Sequence, residues 1–429
     1  MGFADGALRN ACVALLCVQL AISVYYFALG LRMLLAESLV CNRHMKGFTY
    51  LFFWLFDLVW AGALLGVCFQ HPLSVGLAVA SICVSAASVG LAAFDQGCFL
   101  RHVLPKEYGP VFFLRGDGVN VHWAGESSKM MIDEKVATSA LDVGRFHNFT
   151  TEQEKFTYGP ENAQFERIRR LDTFQVVSDL HCGQEQLSRL FTDFSGLTLN
   201  LGDLTSFGTA SELQWALKHF SGRQLVFCPG NHELFGKQLS RMGFSEKSLN
   251  FCVPFDNAAV VVLTVQHKVF IETANVGRAR ADAALEYLNN ALEQNREKEH
   301  VFIAVHVCPF LSDGDLGPTD EAYAQGLLEA IKAHPNVRAV FSGHDHLLSA
   351  FRVGNCFLKM AGPGGRWHVS YDAKKQRPPR PGLSGAPFHL FTEDRPHMKT
   401  LVAIGEHQIV YRFVDIMDGA VVQEITQNI

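Results

Sequence analysis

The chain has 429 residues and a formal net charge of −5, with 18% charged residues and a mean hydropathy of +0.11. That length exceeds one ordinary domain, and the lack of a basic excess excludes nucleic acid as the main partner. A phosphate-bearing substrate is not excluded, because bound metal ions can supply the positive charge. The 11 cysteines form no CxxC pair and are scattered. They predict reduced, mostly buried thiols rather than a disulfide framework.

Three apolar runs dominate the first hundred residues: 11–31, 48–69 and 73–94. Each has the roughly 20 residues that a helix needs to cross a bilayer. The expectation is a transmembrane region over residues 1–100, hence a multi-pass integral membrane protein. Arg32, Arg43 and Lys46 lie between the first two runs, and Arg101, Lys106 and Arg115 follow the third. The positive-inside rule then places the rest of the chain in the cytoplasm.

Residues 101–171 change in character. "PVFFL", "VNVHWA", "KMMIDEK" and "KFTYG" are short, partly alternating runs separated by turn-type residues such as "RGDG". They read as a linker or a small antiparallel β module.

From residue 172 to 429 strand-like runs alternate with helical ones, which predicts an α/β domain. Several strands finish in polar groups. "FQVVSDLHCG" ends in Asp179 and His181, and "LTLNLGD" ends in Asp203. "QLVFCPGNHE" ends in Asn231, His232 and Glu233. "VFIAVH" carries His306, and "VRAVFSGHDH" ends in His344, Asp345 and His346. Domains of this class place ligands just beyond the carboxyl ends of strands. Asp, Asn and His are ligands for Zn, Mn, Fe or Co rather than for a thiolate site. Asp179 and His181 are two apart, so at a strand end they should point to one side, as should His344 and His346.

The ordered set DxH, GD, GNHE, a strand-borne His and GHDH resembles the calcineurin-like metallophosphoesterase superfamily, over about Phe174 to Ile429. The resemblance implies a four-layer αββα sandwich, here preceded by the three transmembrane helices. It likens "GPVFFLRGDGVNVHWAGES" to the opening of the fibronectin-III-like modules that precede some metallophosphoesterases. It also implies two metal ions, Mn, Zn or Fe. Asp179, His181 and His346 would hold one and Asn231, His306 and His344 the other, with Asp203 bridging both. A hydroxide between them would attack phosphorus in line. His232 would stabilise the transition state or protonate the leaving group, making His232 and Asp203 the catalytic residues.

Some positions depart from relatives. Ser206 stands where purple acid phosphatases carry Tyr, so a purple Fe(III)–tyrosinate centre is not expected. Val307 replaces the second His of an "HHPP" segment, and Glu233 stands where many relatives have Asp. The expected function is a membrane-anchored, metal-dependent phosphoesterase acting on a phosphodiester, pyrophosphate or phosphomonoester, with a lipid-linked ester among the candidates. The alternative is a non-catalytic membrane sensor or scaffold that uses the same domain to bind a ligand or partner.

Overall fold

The runs Ala258–Leu263 and His300–Val305 are buried along their whole length. Continuous burial of this kind belongs to central strands of a parallel sheet covered on both faces. The computed structural model describes residues 107–139, 141–143, 145–205, 210–234, 238–245, 249–265, 278–307, 309, 321–359, 361–365, 388–393 and 395–429. The chain divides into two compact units, Met1–Leu104 and Pro105–Ile429, and the described residues all belong to the second.

In chain order the first strands are β1 (Tyr108–Arg115), β2 (Gly118–Ala124), β3 (Lys129–Ile132), β4 (Lys135–Thr138), β5 (Leu141–Val143), β6 (Phe146–Thr151), β7 (Lys155–Tyr158) and β8 (Ala163–Glu166). Then come β9 (Thr173–Val177), β10 (Leu197–Asn200), β11 (Gln224–Phe227), β12 (Phe251–Pro254), β13 (Ala258–Leu263), β14 (His300–Val305) and β15 (Val337–Phe341). The last are β16 (Leu348–Val353), β17 (Cys356–Leu358), β18 (Phe388–Glu393), β19 (Met398–Ile404), β20 (Gln408–Asp415) and β21 (Val421–Asn428). The helices are α1 (Gln184–Arg189), α2 (Ala210–Lys218), α3 (Gln238–Arg241), α4 (Arg278–Gln294) and α5 (Glu321–Ala333).

The strands form three sheets. A 10-stranded sheet has the order β21-β20-β19-β9-β10-β11-β1-β2-β6-β5, and a 7-stranded sheet the order β12-β13-β14-β15-β17-β16-β18. The 4-stranded sheet is β4-β3-β7-β8. β9, β10 and β11 run parallel at the middle of the large sheet, and β13, β14 and β15 run parallel in the second. β1 joins β11 in parallel, so part of the 101–171 stretch extends the large sheet directly. The other four of its strands make up the small sheet.

Aromatic rings connect the two large sheets. Phe174 of β9 meets Phe302 of β14 at 5.1 Å and Phe341 of β15 at 5.9 Å between ring centroids, both edge-on. α4 and α5 turn Ala281, Ala284, Leu288, Leu292, Tyr323, Leu327 and Ile331 onto Val261, Leu263, Ile303 and Val305 in one buried cluster. The apolar spacing of three and four residues puts those side chains on one helix face. Each fully buried Leu contributes about 1.5–3 kcal/mol.

Two expectations require correction. The described residues form a mixed α/β fold with extensive sheets and few helices, and the three transmembrane helices expected ahead of the sandwich are not seen among them. Among the described residues no helix is long and apolar enough to cross a membrane. The multi-pass membrane location, and the cytoplasmic placement built on it, are therefore withdrawn. The runs 11–31, 48–69 and 73–94 lie outside the described residues.

Candidate metal centre

β9, β10 and β11 stop at Val177, Asn200 and Phe227, and the chemistry lies just past those ends. The backbone there leaves the sheet through left-handed residues. Asp179, His181 and Cys182 have φ of 52°, 44° and 56°; Asp203 has 52°, and His344 and His346 have 77° and 54°. Non-glycine residues rarely adopt this conformation, and strain of this kind gathers at functional sites. Convergence of Asp179 and His181 therefore comes from the turn beyond β9, not from strand alternation.

Asp179, His181, Asp203 and His346 bring one donor atom each to within 4.8 Å of one another. Asp203, His306 and His344 form a second group under the same limit. Asp203 belongs to both. Its Oδ2 lies 3.3 Å from His306 Nε2, 3.8 Å from His181 Nε2 and 3.7 Å from His232 Nε2. His181 Nε2 faces His346 Nε2 at 3.1 Å, and His346 Nε2 stands 3.4 Å from Asp179 Oδ1. Asn231 Oδ1 meets His306 Nε2 at 3.1 Å and His344 Nδ1 at 3.0 Å. All seven residues expected to hold metal are thus brought together.

Backbone groups hold these side chains in place. The His344 N–H donates to both Asp179 oxygens at 3.1 and 3.0 Å, tying the last motif to the first. The His232 N–H donates to Asp203 Oδ1 at 3.0 Å. His306 Nδ1 pairs with the Leu201 carbonyl at 2.7 Å, which directs Nε2 toward Asp203 and Asn231. Two glycines permit the close approach. A Cβ on Gly230 would run into Asp203, and one on Gly343 would run into Ser178 and Asp179.

The electrostatics show what the cluster requires. Burial raises Asp203, but His306 and His232 outweigh it and hold the carboxyl well below its usual range. Asp179 is lowered in the same way, chiefly by His346. Burial lowers His306, yet the Asp203 carboxylate beside it wins and lifts the imidazole to about 9. His346 is likewise raised by Asp179 against its burial. Burial pushes His181 down to about 3 and His344 down to about 4. Taken as protein groups alone, the two buried carboxylates favour the protonated form of the imidazoles beside them, His306 and His346. Divalent cations would take the place of those protons. The donor set, mixed Asp, Asn and His converging on a shared carboxylate, fits such a pair.

His232 sits at the rim, its side chain 16% exposed and its ring 4.9 Å from that of His181. Two residues beyond the expected set also reach the site. Glu233 is buried and gathers backbone N–H groups from the Asp203 loop. Lys359 is buried against Asp345. The GNHE spacing pointed to Glu233 without assigning it a role; no local pattern marks Lys359.

Strands, sheet ends and donor groups together define a candidate metal centre built on Asp203, which belongs to both donor groups. Residues 173–348, a span containing all seven donors, match the family described as calcineurin-like phosphoesterase. The matched span is similar to a calcineurin-like phosphoesterase domain. Among solved structures, purple acid phosphatase PPD1 from yellow lupin (Lupinus luteus) is similar in fold, with a TM-score of 0.51 at 10% identity over 76% of this chain and 75% of that one. GAP50, the anchor in the inner membrane complex of Plasmodium, gives 0.46 at 13% identity, over 60% of this chain and 88% of that one. A dimetal phosphatase from Danio rerio gives 0.38 at 13% identity, over 60% and 99%. No curated protein sequence matches the chain.

Proposed function

We propose that the chain is a dinuclear metal-dependent phosphoesterase that hydrolyses a phosphodiester, pyrophosphate or phosphomonoester. One observation carries this: two groups of donors meet at a single carboxylate, with Asp203 Oδ2 between His181 and His306. Asp179, His181 and His346 would hold one ion, Asn231, His306 and His344 the other, and Asp203 both. Bound there, Mn, Zn or Fe would supply Lewis acidity toward phosphoryl oxygens and a nucleophile ionised near neutral pH.

The protein's own groups divide the remaining work. Asp203 and Asp179, buried and ionised, bring negative charge to the cation sites. The Leu201 carbonyl keeps the His306 ring oriented. His232 stands at the solvent-facing edge, where an imidazole would hydrogen-bond a phosphoryl oxygen or hand a proton to the departing oxygen.

The test is hydrolysis by the purified full chain, supplied with Mn²⁺ or Zn²⁺, of soluble and lipid-linked monoesters, diesters and pyrophosphates. Turnover of at least one class, abolished by Asp203→Ala, is expected. Metal loading to two ions per chain with no hydrolysis across the panel would overturn the enzymatic function.

A further inference from the structure

We propose that Glu233 is a positioning residue that sets the spacing between the two loops bearing Asp203 and Asn231, through backbone amides rather than by touching metal or substrate. Its role presupposes the dinuclear site described above. Glu233 lies in a single 3₁₀ turn, His232–Leu234, two places after Asn231. Its side chain turns inward and the residue is 1% exposed.

Both carboxylate oxygens are engaged. Oε2 accepts the N–H of Asp203 at 2.7 Å and of Gly230 at 2.8 Å. Oε1 accepts the N–H of Leu204 at 2.9 Å and, more weakly, of Thr205 at 3.4 Å. Asp203, Leu204 and Thr205 belong to the loop after β10, whereas Gly230 immediately precedes Asn231. One side chain therefore grips both loops at the residues that place the donors.

The sheet cannot do this alone. The β10–β11 ladder ends at Asn200 and Phe227, short of Asp203 and Asn231. Beyond it the backbone turns left-handed at Gly202 (φ 96°) and Asp203 (φ 52°), so regular strand pairing cannot continue. Glu233 supplies acceptors where the ladder has stopped. A second contact extends the clasp: Thr205 Oγ1 donates to Gln238 Oε1 at 2.8 Å, and Gln238 Nε2 donates to the His232 carbonyl at 2.7 Å.

Only a carboxylate satisfies this arrangement, because N–H groups converge on both oxygens. Glutamine has the same shape but offers one accepting oxygen. Its NH₂ would face backbone N–H groups, donor against donor, on one side of the clasp.

The experiment is Mn²⁺ binding by calorimetry to the full chain: wild type, Glu233→Gln and Glu233→Asp, with melting of each metal-free protein as the folding control. Groups that orient metal ligands typically change metal affinity 10–100-fold when removed, so Glu233→Gln should weaken Mn²⁺ binding at least ~10-fold. Glu233→Asp retains the charge but is one methylene short, and should weaken it less. A folded Glu233→Gln with wild-type Mn²⁺ affinity overturns the proposal. So does a lowered melting temperature with unchanged affinity, which is what a purely structural acceptor would give. If Glu233→Gln does not fold, Glu233→Asp is judged by the same criterion, and failure of both to fold counts against the positioning role. A wild type that binds two Mn²⁺ but cleaves no phosphate ester would sink the enzymatic function and leave the role of Glu233 standing. Active protein in which Glu233→Gln binds Mn²⁺ normally would do the reverse.

Discussion

Lys359, with its side chain 1% exposed, forms an ion pair with Asp345, the residue between His344 and His346. The lysine backbone is itself left-handed, at φ 68°, and its N–H donates to Val340 at the end of β15 at 2.7 Å. The pair thus joins the strand end to the turn that presents both histidines. Asp345 is 20% exposed and can draw on water, whereas the ammonium cannot. Asp345→Asn should therefore destabilise the fold more than Lys359→Met, because it leaves a buried cation facing a neutral amide. Removing one partner of a buried pair costs about 3–5 kcal/mol, and the double substitution should cost clearly less than the sum of the singles. Chemical denaturation of the three variants checks the ranking; additive losses would mean that the pair is not coupled.

Asp203 stands in both donor groups, so its loss should disable both rather than one. Asp203→Asn is expected to reduce bound metal below two ions per chain, by elemental analysis. Hydrolysis should fall by more than the ~10–100-fold associated with removing an outer hydrogen-bond partner. His346→Ala, which touches one group only, should leave the His306 side of the site more nearly intact. Equal metal loss in the two variants would argue against a bridging role.

Gly343 should tolerate no side chain. A Cβ there would meet the Ser178 hydroxyl and the Asp179 carboxylate, both of them buried. Overpacking of this sort costs about 1–3 kcal/mol, and here the strain falls on a proposed ligand. Gly343→Ala should lower both the melting temperature and the Mn²⁺ affinity. Gly354→Ala is a control: its φ of 57° is strained for alanine, but open space surrounds it, so its effect should be confined to stability.

Away from the site, His122 predicts a pH dependence. Its Nε2 meets the Tyr108 hydroxyl at 2.6 Å and its Nδ1 meets Asn148 Oδ1 at 2.9 Å. Burial, with His147 nearby, pushes it from 6.5 down to about 4 against the opposing bond to Asn148. A depressed folded value means that the unfolded chain binds the proton first. Stability from this group is full above pH 6.5 and is lost as the pH falls toward 4. Between about pH 7 and pH 5 the loss should be about 2 kcal/mol. Urea unfolding of wild type and His122→Gln over that range should show the wild type losing more stability by roughly that amount. Parallel losses would mean that His122 does not titrate as described.

Much of the site was legible because its motifs sit at strand ends. Apolar runs such as "FQVV" and "LTLN" announce buried strands, and the polar residue after each one is short-range information. The order of the motifs carried the family resemblance, and that resemblance implied that Asp179, His181, Asp203, Asn231, His306, His344 and His346 would meet. Less legible was how they meet. Strand alternation was expected to align Asp179 with His181, yet both lie past the end of β9 in left-handed backbone. Hydropathy likewise pointed to three membrane spans in the first hundred residues, and no described helix answers to one.

By itself, then, the sequence determined which strands are buried and which of them end in Asp, Asn and His side chains of the kind that suit metal ions. These properties depend on residue type and near-neighbour spacing. Only the tertiary structure decided that Asp203 belongs to both donor groups, that Glu233 accepts N–H groups from two loops, and that Lys359 pairs with Asp345 between the two histidines. Those relationships join residues up to 165 positions apart, as His344 and Asp179 are. They depend on left-handed turns and backbone amides, which every residue has and no sequence motif displays.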